Sequence, residues 1–203
     1  RAAAAYAAVA ARAPRNPQRR TVLLAGDIAV KINDFANGGI VRRLNERGLQ
    51  VAIEPSQTLL EYAATEAPGE IARTGEGRGR TLVAMGLRRM RRKQYDRVRK
   101  LHPWIPDGAV APILAESDRV LGRHPRGEAP VTIGSVLHYW KERLCDGAVI
   151  VSPWGCGPAL VSESILRHQA EIPMLFVYND GAPIDERRLN AFAFRLRREP
   201  ARA

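Results

Sequence analysis

The residue best suited to chemistry in this chain is Cys156, set between Gly155 and Gly157 in the stretch Ser152-Pro153-Trp154-Gly155-Cys156-Gly157-Pro158. A thiolate is a soft metal ligand and a nucleophile. Glycine on both sides clears side chains away, so a bulky group can approach the backbone closely. A buried thiol in a tight turn has the same local sequence, and the residue types alone leave both readings open. Asn33 and Asn37 form a second candidate pair, in the turn-rich loop from Lys31 to Gly39. Their amides can meet a ligand or cap the helix that follows, and capping is the commoner duty of asparagine there. Glu128 is a further candidate in a loop, where a solvated carboxylate is the usual reading. His102, His124, His138 and His168 lack the spacing of a metal site.

The elements around Cys156 explain why it attracts attention. Gly147-Ala148-Val149-Ile150-Val151 is a short apolar run of the kind found in a strand covered on both faces. Ala159 to Gln169 has helical patterning, and Pro173 to Tyr178 reads as the next strand. The cysteine turn thus falls at the carboxyl end of a strand in a βαβ unit, where open α/β sheets place their ligand sites. Thr21 to Gly26 reads as another buried strand, followed by the apolar Ile28-Ala29-Val30 and the asparagine loop. Ile40, Val41, Leu44 and Leu49 then recur at helical spacing before Gly48 closes the helix and Leu49 to Glu54 forms a strand. The predicted fold is α/β, a flavodoxin- or Rossmann-like, mainly parallel sheet with helices on both faces. Its strands fall near 22–25, 51–53, 148–151 and 174–177.

Residues 1–20 are expected to be a helical lead-in and linker, rich in alanine and lacking an initiator Met, as though cut from something longer. Residues 21–203 are expected to be one α/β domain with a basic helical insertion at about 81–122. Of the net charge of +11, the segment from Arg73 to Lys100 carries +9, from eleven basic and two acidic residues. That helix suits nucleic acid, a phosphorylated ligand or an acidic protein face, and equally a solvated surface drawn from an arginine-heavy composition. Nucleic acid is the least favoured partner, because aromatic residues are sparse there (Tyr95 and Trp104) and no base-reading motif is present. Two cysteines, Cys145 and Cys156, make no disulfide framework, which points to the reducing cytoplasm. No apolar run approaches the roughly 20 residues of a membrane span.

Taken in order, several segments resemble the 2-hydroxyacyl-CoA dehydratase superfamily, most closely its activase-related members. Gly26-Asp27-Ile28-Ala29-Val30 with Asn33 and Phe35-Ala36-Asn37 is similar to that family's first strand and loop. Leu44-Asn45-Glu46-Arg47-Gly48 is similar to its "LEERG", and Gly127-Glu128 with Val131 to Gly134 to its "GE…LTVG". Asp146 to Val151 with Pro153 to Pro158 is similar to "DGVVNV-PFGCMPG". The resemblance runs from about Thr21 to Phe194.

It implies a lobe of an iron–sulfur protein that serves low-potential electron transfer for acyl-CoA dehydration or reduction in anaerobic metabolism. Cys156 would be one metal ligand of a [4Fe–4S] cluster. The amides of Gly155 and Gly157 would point at it, and Asn33 and Asn37 would lie in the same concavity. The other ligands would come from an upstream lobe or a partner, since a cubane takes four. The implied partners are an ATP-hydrolysing activase domain or a dehydratase subunit, an acyl-CoA, and a second copy in a homodimer. No Walker-type loop is present, and "GDIAV" and "PWGCGPA" both depart from the family's wording. A cluster-less binding or interaction domain is the alternative.

Overall fold

The computed structural model describes residues 19–66, 77–99, 108–122 and 127–198, together with Ala5 and Ala8. In chain order the elements are β1 (Thr21–Gly26), α1 (Ile28–Ile32), α2 (Ile40–Glu46), β2 (Gln50–Ile53), α3 (Ser56–Glu66) and α4 (Gly77–Arg99). There follow α5 (Val110–Leu121), α6 (Ala129–Lys141), β3 (Gly147–Pro153), α7 (Gly157–Leu166), β4 (Met174–Asn179) and α8 (Glu186–Arg198). The four strands form one sheet in the order β2-β1-β3-β4, and every pair is parallel. The two strands that bracket Cys156 are among these parallel neighbours, as the βαβ reading requires.

The strand centres are apolar because the sheet is covered on both faces. Side chains alternate across a strand, so Val22, Leu24, Val149, Val151, Leu175 and Val177 enter one core. There they meet Ile40 and Leu44 of α2 and Leu189, Phe192 and Leu196 of α8. Leu23, Ala25, Ala148, Ile150 and Phe176 enter the other core, against Ile133, Val136 and Tyr139 of α6 and Leu166 of α7. Each such large side chain stabilises the fold by about 1.5–3 kcal/mol. The connection from β1 to β2 runs one way along the sheet with α2 on one face. That from β3 to β4 runs the other way with α7 on the opposite face, as two crossovers of one hand must. Strand order therefore reverses between β1 and β3, which is the topological switch point.

Asp146 sets the register there. Its carboxylate accepts the Thr21 amide at 2.7 Å and Arg20 Nη1 at 3.2 Å, and its own amide donates to the Thr21 carbonyl at 2.7 Å. This clamp precedes the pairing of Val22 with Gly147.

Ile28-Ala29-Val30, apolar in the sequence, belongs to a short helix, capped by Asp27, whose Oδ1 accepts the amides of Ala29 and Val30 at 2.9 Å. The chain divides into two compact units, one of Arg1–Gln18 with the inserted Pro55–Asp107 and one, the α/β unit, of Arg19–Glu54 with Gly108–Ala203. α5 accordingly belongs with the sheet, because Val110 and Ile113 are buried and its backbone lies directly on α6. A Cβ at Gly134 of α6 would sit 2.1 Å from the Ile113 carbonyl oxygen, so only glycine admits this approach. Glu116 of α5 closes the pair by accepting Lys141 Nζ at 2.5 Å. That bond, aided by Arg119, holds its carboxyl below the usual range against the opposing effect of burial. Of the expected lead-in at 1–20, residues other than Ala5, Ala8, Arg19 and Arg20 lie outside the described residues, as does Pro103; of the stretch 67–80, which its glycine and charge mark as a connection, residues 77–80 are the first turn of α4.

The inserted unit is described by α3 and α4, and α4 matches the arginine-laden helix expected from Thr81. Glu61 of α3, buried, accepts Arg88 Nε at 2.8 Å and Arg91 Nε at 2.9 Å, and Gln57 donates to Gln94 at 3.2 Å. Among the described residues no helix is long and apolar enough to cross a membrane.

Candidate functional site at the carboxyl edge of the sheet

Cys156 stands where the sequence places it, just beyond the carboxyl end of β3, as the N-cap residue of α7. The chain leaves β3 at Pro153, reverses through Gly155 at φ +76°, and enters α7 at Gly157. The left-handed conformation at Gly155 is the local reason for a glycine there. A Cβ at Gly155 or at Gly157 would meet nothing within 4 Å, so the space beside the cysteine is open on both sides. The sulfur itself is half-buried, and no side-chain bond caps the helix. Neighbouring side chains brace the turn. Trp154 lies edge-on to Tyr178 with centroids 5.9 Å apart, and its amide donates to the Asn179 carbonyl at 2.9 Å. The Tyr178 hydroxyl donates to Glu163 of α7, and burial followed by this bond pushes its pKa well above the usual phenol value.

The first βα loop is built differently. Asn33 Oδ1 accepts the amides of Phe35 and Ala36 at 3.0 and 3.2 Å, which makes a local turn. Asn37 is buried. Its Nδ2 donates to the Val30 carbonyl at 3.1 Å, and its Oδ1 accepts the amides of Gly39 and Ile40 at 3.0 and 3.2 Å. Both atoms of that amide are spent on the chain's own backbone. Asn33 thus closes a turn within the loop, and Asn37 ties the loop to the start of α2.

Two concavities open on this edge, and they share no lining residue. Cys156 lines the smaller, with Asp27, Glu128, Ser152 and Pro158, and its volume is about 10 Å³. The larger, about 440 Å³, lies between Phe35–Gly38 and the loop after β4, with Leu175 and Val177 as its floor and Arg43 and Arg188 in its wall. Cys156 and Asn37 thus line different concavities. The reason is that β1 and β3 do not diverge. The Asp27 amide still bonds the Val151 carbonyl at 2.9 Å, and Pro158 and Glu128 fill what remains. Asn179 joins the rims by donating from its side chain to the Ala36 carbonyl.

Glu128 is thus more than a solvated loop carboxylate. It is half-buried at the switch point, reaches toward the Ile28 amide at 3.5 Å, and its pKa is raised first by burial and then by Asp27. Sequence reasoning also missed Lys31 and Glu54. Their side chains are 2% and 1% exposed and pair at 2.7 Å, while Ser135 of α6 donates to the other carboxylate oxygen. No spacing rule links residues 31, 54 and 135, so only the fold reveals the group.

A [4Fe–4S] cluster takes four thiolates or their substitutes. Cys145, 4% exposed at the amino end of β3, belongs to the core and points to no ligand site. Among the described residues no three His, Cys, Asp or Glu side chains converge as a metal site. A concavity of 10 Å³ holds about one water. The residues present therefore fit one corner of a cluster, on the open side beside Gly155 and Gly157. The fold and this edge define a doubly wound α/β protein with a half-exposed thiol at a helix entry. No family model, no curated protein and no solved structure matches the chain.

Proposed function

We propose that this chain is a lobe of an iron–sulfur protein, related to the 2-hydroxyacyl-CoA dehydratases and their activases, that supplies Cys156 as one thiolate ligand. The observation that carries the reading is the half-exposed Cys156 at the entry of α7, flanked by glycines whose surroundings are open. Soft thiolate suits iron in a cluster. A bound cluster would supply low-potential electron transfer for acyl-CoA dehydration or reduction. The chain's own contribution is to hold the sulfur in place through Gly155 and the Trp154–Tyr178 contact. It also presents the positive end of the ten-residue helix α7 to the negative charge of a reduced centre. An upstream lobe or partner supplies the remaining ligands, and an ATP-hydrolysing activase supplies the electrons. This reading places the protein in the cytoplasm of an anaerobically metabolising cell.

The larger cavity favours a second reading, a cluster-less binding domain. At about 440 Å³ it falls within the range of small-molecule sites, and Cys156 does not line it. Purification of the whole gene product without oxygen separates the two. Iron and acid-labile sulfide, with the broad visible absorption of iron–thiolate bonds, support the cluster. A colourless, iron-free product under those conditions leaves the binding domain.

A further inference from the structure

The basic helix α4 is divided lengthwise and across. On the side toward α3, Arg88 and Arg91 share the one carboxylate of Glu61. Arg89, Lys93 and Arg97 are exposed and lie 100° or more around the helix from Arg88, with exposed Arg92 on the flank between. Arg89, Lys93 and Arg97 recur every four residues, about 6 Å apart along the axis, a spacing at which like charges repel. Leu82 and Met85 continue this same side toward the amino end, 67% and 58% exposed. Between Leu82 and Arg97 this stripe thus passes from exposed apolar residues to cations, with Asp96 as its acidic residue.

Arginine and methionine are the residues enriched where proteins meet, and lysine and glutamate are depleted there. We infer that the outward face of α4 docks an acidic, amphipathic protein surface. Leu82 and Met85 cover its apolar patch, and Arg89, Arg92, Lys93 and Arg97 meet its carboxylates. Arginine forks match carboxylates in pairs, and such complementary charge steers encounter. A phosphate backbone would use the cations but has no use for exposed Leu82 and Met85. The one aromatic of α4, Tyr95, is half-buried and so poorly placed to stack on bases. The inference is independent of the role of Cys156.

The test uses the full chain and three fluorescent probes: a helical peptide with leucine on one face and glutamate on the other, poly-L-glutamate, and a short RNA duplex. Binding is read by anisotropy across a salt series. The peptide is expected to bind tightest. Replacing Arg89, Lys93 and Arg97 together by glutamate should weaken it by more than about tenfold and flatten its salt dependence. Leu82→Ser with Met85→Ser should weaken peptide binding about tenfold, keep the salt slope and leave poly-L-glutamate unaffected. Circular dichroism checks that each variant keeps its helix, and the Gln triple variant substitutes if the Glu triple does not fold. No peptide binding by the parent chain overturns the proposal. So does RNA binding tighter than the peptide that is indifferent to the Leu82 and Met85 changes.

Discussion

At the scale of single residues, the largest energies sit beside the thiol turn and not in it. Lys31 and Glu54 are both withdrawn from water, and each is tolerable only because the other is there. Lys31→Met should cost about 3–5 kcal/mol in urea unfolding, because it leaves a buried carboxylate with Ser135 as its remaining partner. Lys31→Met with Glu54→Leu should recover most of that loss, which a purely steric defect would not allow. Glu128 makes a prediction about pH. Its carboxyl titrates above the ordinary 4.5 when folded, chiefly through burial. Such a group contributes its full stability below the unfolded value and loses it as pH rises through the folded one. Glu128→Gln should therefore melt at a higher temperature than the parent near neutrality, and the two should converge in acid. Cys156 was legible because glycine, cysteine and a strand end are all local signals. The Lys31–Glu54–Ser135 group was not, because 23 and then 81 positions separate its members.

At the scale of elements, the strands were legible and the helical boundaries less so. Runs such as Val22–Ala25 and Gly147–Val151 are short and apolar at every position, as suits a strand covered on both faces. The helix Ile28–Ile32 escaped because five residues are too few to show a period, although Asp27 before them is a standard cap. The arginine-rich helix reads from its sequence as a solvated or partner-facing surface. Arg88 and Arg91 bind buried Glu61, whereas Arg89 and Arg92 are exposed. Arg88→Gln with Arg91→Gln should lower the stability of the α3–α4 hairpin by about 2–4 kcal/mol, since Glu61 would be left uncompensated. Arg89→Gln with Arg92→Gln should change it by no more than about 0.5 kcal/mol. Chemical unfolding followed by circular dichroism compares them. In the α/β unit, Gly134→Ala must push α5 away from α6, and a destabilisation of about 1–3 kcal/mol is expected.

At the scale of the whole molecule, the doubly wound sheet puts the switch point, the thiol turn and the asparagine loop on one edge, as the βαβ pattern implied. It does not make them one pocket. Continued bonding between Asp27 and Val151 closes the space in which a cluster would otherwise share Cys156 with Asn33 and Asn37. If iron is held, it is held outward, at the open side of Gly155 and Gly157. The most direct measurement is iron and acid-labile sulfide in the complete gene product, purified without oxygen, for the parent and for Cys156→Ser and Cys145→Ala variants. The account predicts that Cys156→Ser loses most of the iron and sulfide while Cys145→Ala, altering a core thiol far from the turn, retains them. Equal iron in the parent and in Cys156→Ser, or none in the parent, would contradict it.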